Sequence, residues 1–178
     1  MKRLIALSHF TQGALIVLLS ITLWSTLSYA EPLKLKVDST VATGLMLGPA
    51  GREVVLGGSP LLLDVDAAMM FDNDESHEWV LGTMVQMQHT VAFALNPQVR
   101  LLRKNNYFEG FAGFGIPVFV EPKTRLGTEL SFGFAFPSKS NLAFLANISV
   151  ATYFMGSDLP DDNIVFTFNG AVGLRLRF

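Results

Sequence analysis

Residues 166–178 read FTFNGAVGLRLRF, with apolar residues or glycine at every even position and polar, charged or small residues at every odd one. Successive side chains of a β-strand point to opposite faces, so this period of two predicts a strand with one apolar and one polar face. The segment is also longer than the roughly 9–11 residues that a tilted strand needs to cross a bilayer. The C-terminal segment therefore indicates a β-protein with an unusually apolar face.

The same alternation recurs upstream, between turn signals such as Gly48-Pro49-Ala50-Gly51, Asp72-Asn73-Asp74-Glu75, Lys104-Asn105-Asn106 and Glu121-Pro122-Lys123. The predicted strands cover residues 33–47, 60–71, 78–88, 91–103, 107–119, 124–136, 142–155 and 164–178. The turn between the third and fourth strands is ambiguous, because the alternation continues to Leu95 and Asn96-Pro97 is a second candidate. Eight strands of this length predict an all-β fold, an antiparallel up-and-down barrel.

One face of the predicted strands is apolar, for example Leu61, Leu63 and Val65 on the second strand. The other face carries the predicted lumenal charges Asp64, Asp66, Arg100, Glu109, Arg125, Glu129, Arg175 and Arg177, together with Lys34, Lys36 and Asp38 on the first strand. A lipid-facing Arg or Lys near mid-membrane costs about 2–4 kcal/mol. In a membrane barrel the charged face must therefore point into the lumen.

The polar face is also rich in glycine and other small residues, such as Gly82, Gly113 and Ser131. Small and charged residues suit the crowded inside of a narrow barrel better than a water-exposed sheet. Aromatic residues near predicted strand ends fit interfacial girdles: Trp79, Tyr107, Phe108, Phe119, Phe136, Tyr153 and Phe154. A soluble lipocalin-like barrel is the alternative, and it would reverse the two faces.

The composition supports a membrane rather than an ordinary soluble domain. Of the 178 residues, 50% are hydrophobic and only 16% are charged, against roughly 25% charged in a typical soluble domain. Acidic residues outnumber basic ones 15 to 13, which gives no electrostatic reason to expect nucleic-acid binding. Cysteine is absent, which excludes disulfides and cysteine-based metal or catalytic sites.

The N-terminus has the layout of a secretory signal peptide. Lys2 and Arg3 are followed by an apolar stretch, and Ser28-Tyr29-Ala30 places small residues at the two positions that determine cleavage. We expect a signal peptide at residues 1–30 and a barrel domain at residues 31–178; a membrane-anchoring helix is the alternative. No cysteine follows the cleavage site, which excludes a lipoprotein anchor.

The last strand resembles the C-terminal signature of bacterial outer-membrane β-barrel proteins, in which a terminal aromatic follows apolar residues at alternate positions. The matching residues are Val172, Leu174, Leu176 and Phe178. With eight strands, the chain is similar to the small OmpA-like and OmpX-like barrels. The resemblance implies an outer-membrane location, contact with outer-membrane lipids, export with periplasmic chaperones, recognition of the last strand by the barrel-assembly machinery, and a monomer.

Residues that could carry chemistry are few once the signal peptide is set aside. His77 lies beside an acidic loop and His89 at a predicted strand end, and both are expected to be solvated or interfacial. The acidic loops 72–75 and 158–163 lack the spacing of an EF-hand, and Gly113-Phe114-Gly115 lies within a strand. We expect no catalytic residue, no cofactor and no metal site.

These patterns predict a packed, charged lumen without a continuous pore and a structural or interaction role. Eight strands leave an interior just wide enough for side chains to fill. Two alternatives stay open. One is a lipid-modifying enzyme that pairs His89 with a serine, and the other is a narrow channel or small-molecule binder with a connected cavity.

Overall fold

Ten antiparallel β-strands form the described part of the chain. The structure is a computed structural model that describes residues 34–50, 53–70, 76–87, 91–122, 124–157, 159 and 164–178. The strands are β1 (Lys34–Ala50), β2 (Glu53–Gly58), β3 (Leu61–Met70), β4 (His77–Met87), β5 (Val91–Lys104), β6 (Glu109–Gly115), β7 (Val118–Glu121), β8 (Arg125–Phe136), β9 (Leu142–Gly156) and β10 (Val165–Arg177). The predicted signal peptide and His89 lie outside the described residues, as do residues 71–75 and all of the loop 158–163 except Leu159.

The sheet closes on itself, because β10 pairs with β1 in a continuous register from Lys36–Arg177 to Leu47–Phe166. Both β2 and β3 pair with the same edge of β1, and both β6 and β7 lie between β5 and β8. Each of these pairs is one barrel strand interrupted at a proline, Pro60 or Pro117, which cannot donate to the ladder. The described strands therefore occupy eight positions of a closed antiparallel barrel, as the sequence predicts.

One detail differs from the predicted strands, and one alternative turn is excluded. β1 runs through the predicted turn at Gly48-Pro49 and pairs with β2, which extends this hairpin beyond its expected end. Asn96-Pro97 lies inside β5, opposite Gly82 and Leu81 of β4, so it is not the third turn. The predicted boundary between the third and fourth strands is confirmed, and residues 88–90 between β4 and β5 lie outside the described residues.

The two faces of the barrel separate as the alternation predicts. The bulky apolar residues at odd positions of β3 and at even positions of β8 and β10 lie on the outside, and the charged and small residues of the same strands point inward, together with Leu62 and Met70 of β3. The prediction that Phe119 and Tyr153 belong to the interfacial girdle is wrong, because both side chains are buried inside the barrel. Their odd numbers give them the parity of the inward residues Glu109 and Ala151, which overrides their position near strand ends. Among the described residues, none forms a helix long and apolar enough to cross a membrane.

We call the end of the barrel where β1 begins and β10 finishes the terminal end, and the opposite end the far end. The hairpin connections at residues 105–108 and 137–141 lie at the terminal end, and β1 and β7 finish at the far end. Most of the lumenal charges belong to the terminal half, since they come from the beginning of β1, β4 and β6 and from the last residues of β3, β5 and β10.

Replacing Gly173 with Ala should weaken barrel closure. An added Cβ would lie 2.7 Å from Thr40 Cα and would also meet the backbone oxygen of Ser39, both on β1. Backbone cannot yield as a flexible side chain does, so we expect a loss of about 1–3 kcal/mol in unfolding free energy. Gly170→Ala on the same strand is the matched control, because its Cβ would meet nothing within 4 Å. Urea unfolding in phospholipid vesicles measures both variants, and equal stabilities would contradict this account.

Candidate functional site

Arg175 is the centre of an ion-pair layer that crosses the lumen in its terminal half. Its Nε and Nη2 donate to the two oxygens of Asp38, each at 2.7 Å, and its Nη1 donates to Glu109. The two parallel bonds to one carboxylate are the bidentate arrangement that makes arginine–carboxylate pairs strong. Arg175 is 0% exposed and Asp38 is 1% exposed, so neither charge is screened by bulk water.

Arg100 extends this layer towards β3. Its Nη1 donates to Asp38 Oδ2 at 2.9 Å, its Nη2 pairs with Asp66, and its Nε donates to Gln98 Oε1 at 3.2 Å. Both guanidinium groups of the layer also lie over the ring of Phe111, with the carbon of Arg100 at 4.8 Å and that of Arg175 at 5.5 Å from the centroid. The ring therefore stabilises two cations through cation–π contact.

Lys36 and Arg177 continue the network to the terminal mouth. Lys36 Nζ lies 2.9 Å from an oxygen of Glu109 and 2.9 Å from an oxygen of Glu78. Arg177 donates from Nη1 to the backbone oxygens of Pro137 at 3.2 Å and Ser140 at 2.5 Å, and its Nη2 lies 3.9 Å from Glu109 Oε2. Arg177 therefore links the last strand to the β8–β9 turn as well as to the lumenal charges.

Two glycines make room for the ion-pair layer. A Cβ at Gly113 would lie 3.1 Å from Arg100 Cγ and 2.5 Å from the hydroxyl of Ser131. A Cβ at Gly82 would meet a carboxylate oxygen of Asp66. The small residues on the inner face are thus the counterpart of the large charged side chains that the same face carries.

Asp64 and Glu129 face a small cavity in the middle of the barrel. The cavity has a volume of about 30 Å³ and is lined in part by Thr40, Asp64, Glu129, Asn147, Ser149 and Asn169. Asn96 Nδ2 donates to Glu129 Oε2 at 2.9 Å, which ties the carboxylate to β5. A space of this size holds a water molecule or two but no organic solute.

The far half of the lumen contains an aromatic clamp around Arg125. The guanidinium carbon lies 4.4 Å from the ring centroid of Phe119 and 5.0 Å from that of Tyr153. The two rings meet edge to face with centroids 5.7 Å apart, and Arg125 Nη2 also donates to Gln86 Oε1 at 2.9 Å. The cation is therefore held by two faces of π-electron density and one amide oxygen.

All eight predicted lumenal charged residues point inward in the structure, where they form two groups. Asp66, Arg100, Glu109, Arg175 and Arg177 join the ion-pair layer and its mouth, whereas Asp64, Glu129 and Arg125 lie further towards the far end. The prediction missed Glu78, which is fully buried beside Lys36. Glu78 shares the parity of the inward residues Val80 and Gly82 in β4, and this pattern could have predicted its inward position. It was missed because it directly follows the acidic loop.

The other sequence candidates are only partly covered by the described residues. The described residues contain no group of three or more His, Asp or Glu side chains placed to hold a metal ion. Ser76 Oγ lies 2.8 Å from Nδ1 of its exposed neighbour His77, at the outer surface of the terminal end. His89, on which the enzyme alternative depends, lies outside the described residues.

The four residues of the C-terminal signature all point outward from β10. Val172, Leu174, Leu176 and Phe178 are exposed on the apolar exterior, and β10 closes the barrel against β1. The backbone nitrogen of Phe178 donates to the oxygen of Leu35 at 2.9 Å. The signature therefore coincides with the closing strand of the barrel.

A closed eight-position antiparallel barrel, apolar outside and charged inside, defines the class of small outer-membrane β-barrels that OmpA and OmpX represent. Neisserial surface protein A has this fold, with a TM-score of 0.60 and 8% identity over 83% of this chain and 100% of that one. The N-terminal β-barrel domain of Pseudomonas aeruginosa OprF gives a TM-score of 0.53 and 7% identity over 82% of this chain and 97% of that one. No protein-family model and no curated protein matches the sequence. The fold agrees with the predicted location in the bacterial outer membrane.

Proposed function

We propose that the chain is a structural barrel of the outer membrane whose lumen is sealed rather than conducting. One observation carries the proposal: Arg175, Asp38 and Arg100, joined by direct hydrogen bonds, are all 2% exposed or less. A group in a water-filled pore would retain contact with solvent. The burial of all three supports a layer without a water path beside it.

The layer draws on strands all around the barrel. Six strands contribute ionisable side chains to it, namely Asp38 of β1, Asp66 of β3, Glu78 of β4, Arg100 of β5, Glu109 of β6 and Arg175 of β10. The two remaining positions, β8 and β9, contribute the buried apolar residues Ala135, Ala143 and Leu145, which pack with Phe111. Side chains from all eight strand positions thus fill the cross-section of the lumen at this level, which supports a plug.

A role in interaction is consistent with this plug, because partners would contact the ends and the apolar exterior rather than the lumen. We also propose that β10 is the strand which the barrel-assembly machinery recognises, since it carries the signature and closes the sheet. We propose that the protein is not an enzyme. We also propose that it is a monomer. Lipids of the outer membrane are the proposed partners of the exterior.

Planar-bilayer recording tests the sealed lumen. We expect the purified barrel, inserted in its heat-shiftable folded form, to give no discrete conductance steps above the baseline of the bilayer alone. The physical reason is that a permeating ion would have to displace Arg175 from two buried carboxylates. An open porin recorded in the same bilayers controls for insertion. Reproducible single-channel steps from the folded protein would overturn the proposal in favour of the narrow-channel alternative.

A further inference from the structure

An apolar slot crosses the outer surface of the barrel near its terminal end. It has a volume of about 400 Å³ and lies over β6, β8 and β9, with Gly110, Phe132, Gly133, Phe134, Ala146 and Ile148 among its lining residues. The rings of Phe132 and Phe134 form its walls, and the backbone at the inward-facing Gly133 lies between them.

Small outward residues open the slot on both sides of β8. Gly110 of β6 and Ala146 of β9 are both register partners of Phe134. Adjacent strands lie about 4.8 Å apart, so the slot is roughly 10 Å long from Gly110 to Ala146. Its width between two aromatic rings and its apolar lining suit a hydrocarbon chain.

The two ends of the slot differ in charge. Arg103 of β5 is the register partner of Gly110, is exposed, and forms no ion pair with any other described residue. It lies one residue before the end of β5, close to the level of the exposed aromatics Tyr107 and Phe136 that mark the membrane interface. The Ala146 end is apolar, because its next register partner is Val172 of β10.

We propose that the slot holds an acyl chain of a phospholipid whose phosphate is bound by Arg103. The ligand belongs to the leaflet at the terminal end, where a cation at interfacial depth meets lipid phosphates and an apolar slot continues towards the hydrocarbon. Guanidinium is suited to phosphate because its planar fork matches two phosphate oxygens. This inference rests on the proposed placement of the barrel in the outer membrane.

Native mass spectrometry of the barrel, released from micelles with equimolar phosphatidylglycerol and diacylglycerol of the same acyl chains, tests the proposal. We expect the wild type to retain phosphatidylglycerol preferentially, because only that lipid carries a phosphate. Arg103→Gln should lower this retention about fivefold, as expected for one interfacial cation, and should abolish the preference. Ala146→Leu should reduce the retention of both lipids, since it fills the slot itself.

Two matched variants control for charge and for bulk. Lys139→Gln removes an exposed cation from the β8–β9 turn at the same end, and Ala112→Leu adds the same bulk on the outside of β6 beyond the slot lining; both should retain lipid as the wild type does. Retention in Arg103→Gln equal to that in Lys139→Gln would overturn the phosphate site, and retention in Ala146→Leu equal to that in Ala112→Leu would overturn the acyl site. The heat-dependent gel shift of the same samples tests the barrel separately. Absence of the shift from the wild type would overturn the membrane placement. A normal shift, combined with lipid retention that the variants leave unchanged, would overturn only the lipid site.

Discussion

Arg175→Met is expected to destabilise the folded barrel by about 3–5 kcal/mol, the cost of removing one partner from a buried ion pair. The variant keeps an apolar side chain of similar length but leaves Asp38 with one cation fewer and takes a cation from Glu109. Both carboxylates stay 2% exposed or less, so water cannot replace the guanidinium without opening the core. A large loss should therefore appear although the fold-determining apolar exterior is untouched.

Arg177→Met provides the matched control, two residues further along the same face of β10. The Arg177 side chain is 14% exposed, lies 3.9 Å from Glu109 and donates to two backbone oxygens of the β8–β9 turn. Its removal should therefore cost about 1–2 kcal/mol, less than the removal of Arg175 from the buried layer. Urea unfolding in phospholipid vesicles can be followed through Trp79, the one tryptophan after residue 30, whose exposed ring lies on the outer surface. Equal losses in the two variants would show that the layer does not hold its charges as a desolvated network.

Arg175→Lys separates charge from geometry. Lysine keeps the positive charge but cannot make the two parallel bonds that Nε and Nη2 make to Asp38. We expect a stability between those of the wild type and Arg175→Met. A Lys variant as stable as the wild type would mean that the charge alone is sufficient.

Most of the fold could be predicted from the alternation of side chains, because the face to which a strand residue points depends only on its position within the strand. The odd residues of β8 and β10 point inward in the structure for the same reason that the sequence separates them: each charged or small residue sits two positions from the next. Closure could also be predicted, since an open edge in hydrocarbon would leave backbone groups unpaired.

Partners within the lumen could not be predicted, because they depend on which strands face each other across the barrel. Asp38 and Arg175 are 137 positions apart in the chain, and Arg100 and Asp38 are 62 apart; no local pattern joins them. The clamp of Phe119 and Tyr153 around Arg125 could not be predicted from the sequence for a related reason. Their position near strand ends suggested the membrane interface, whereas only the three-dimensional fold shows the cation between them.

The extension of the first hairpin has a different cause. Gly48-Pro49 is a strong turn signal by composition, yet β1 continues to Ala50 because the neighbouring segment Glu53–Gly58 offers a complete set of register partners. Pairing across the ladder outweighs the local preference there. Strand ends are accordingly the part of the fold that the sequence specifies least.

Leu130→Arg should destabilise the barrel by about 2–4 kcal/mol, whereas Phe136→Arg should cost about 0–1 kcal/mol, because the penalty for a lipid-facing arginine depends on depth in the bilayer. Both residues are on β8 and both point outward, at 51% and 53% exposed. Leu130 lies in the middle of the strand and Phe136 at its terminal end. The pair therefore differs in depth while strand, face and exposure are matched.

This comparison separates a membrane barrel from a soluble one more directly than either variant alone. On a water-exposed surface, an arginine at either position would be tolerated within about 0.5 kcal/mol, so the two variants would have similar stabilities. In a bilayer, the mid-strand arginine must draw water and headgroups towards the hydrocarbon centre, and the terminal one reaches the interface directly. Urea unfolding in phospholipid vesicles gives both values, with the heat-dependent gel shift reporting the folded fraction. A Leu130→Arg barrel that folds as well as Phe136→Arg would place the apolar exterior in contact with something other than lipid.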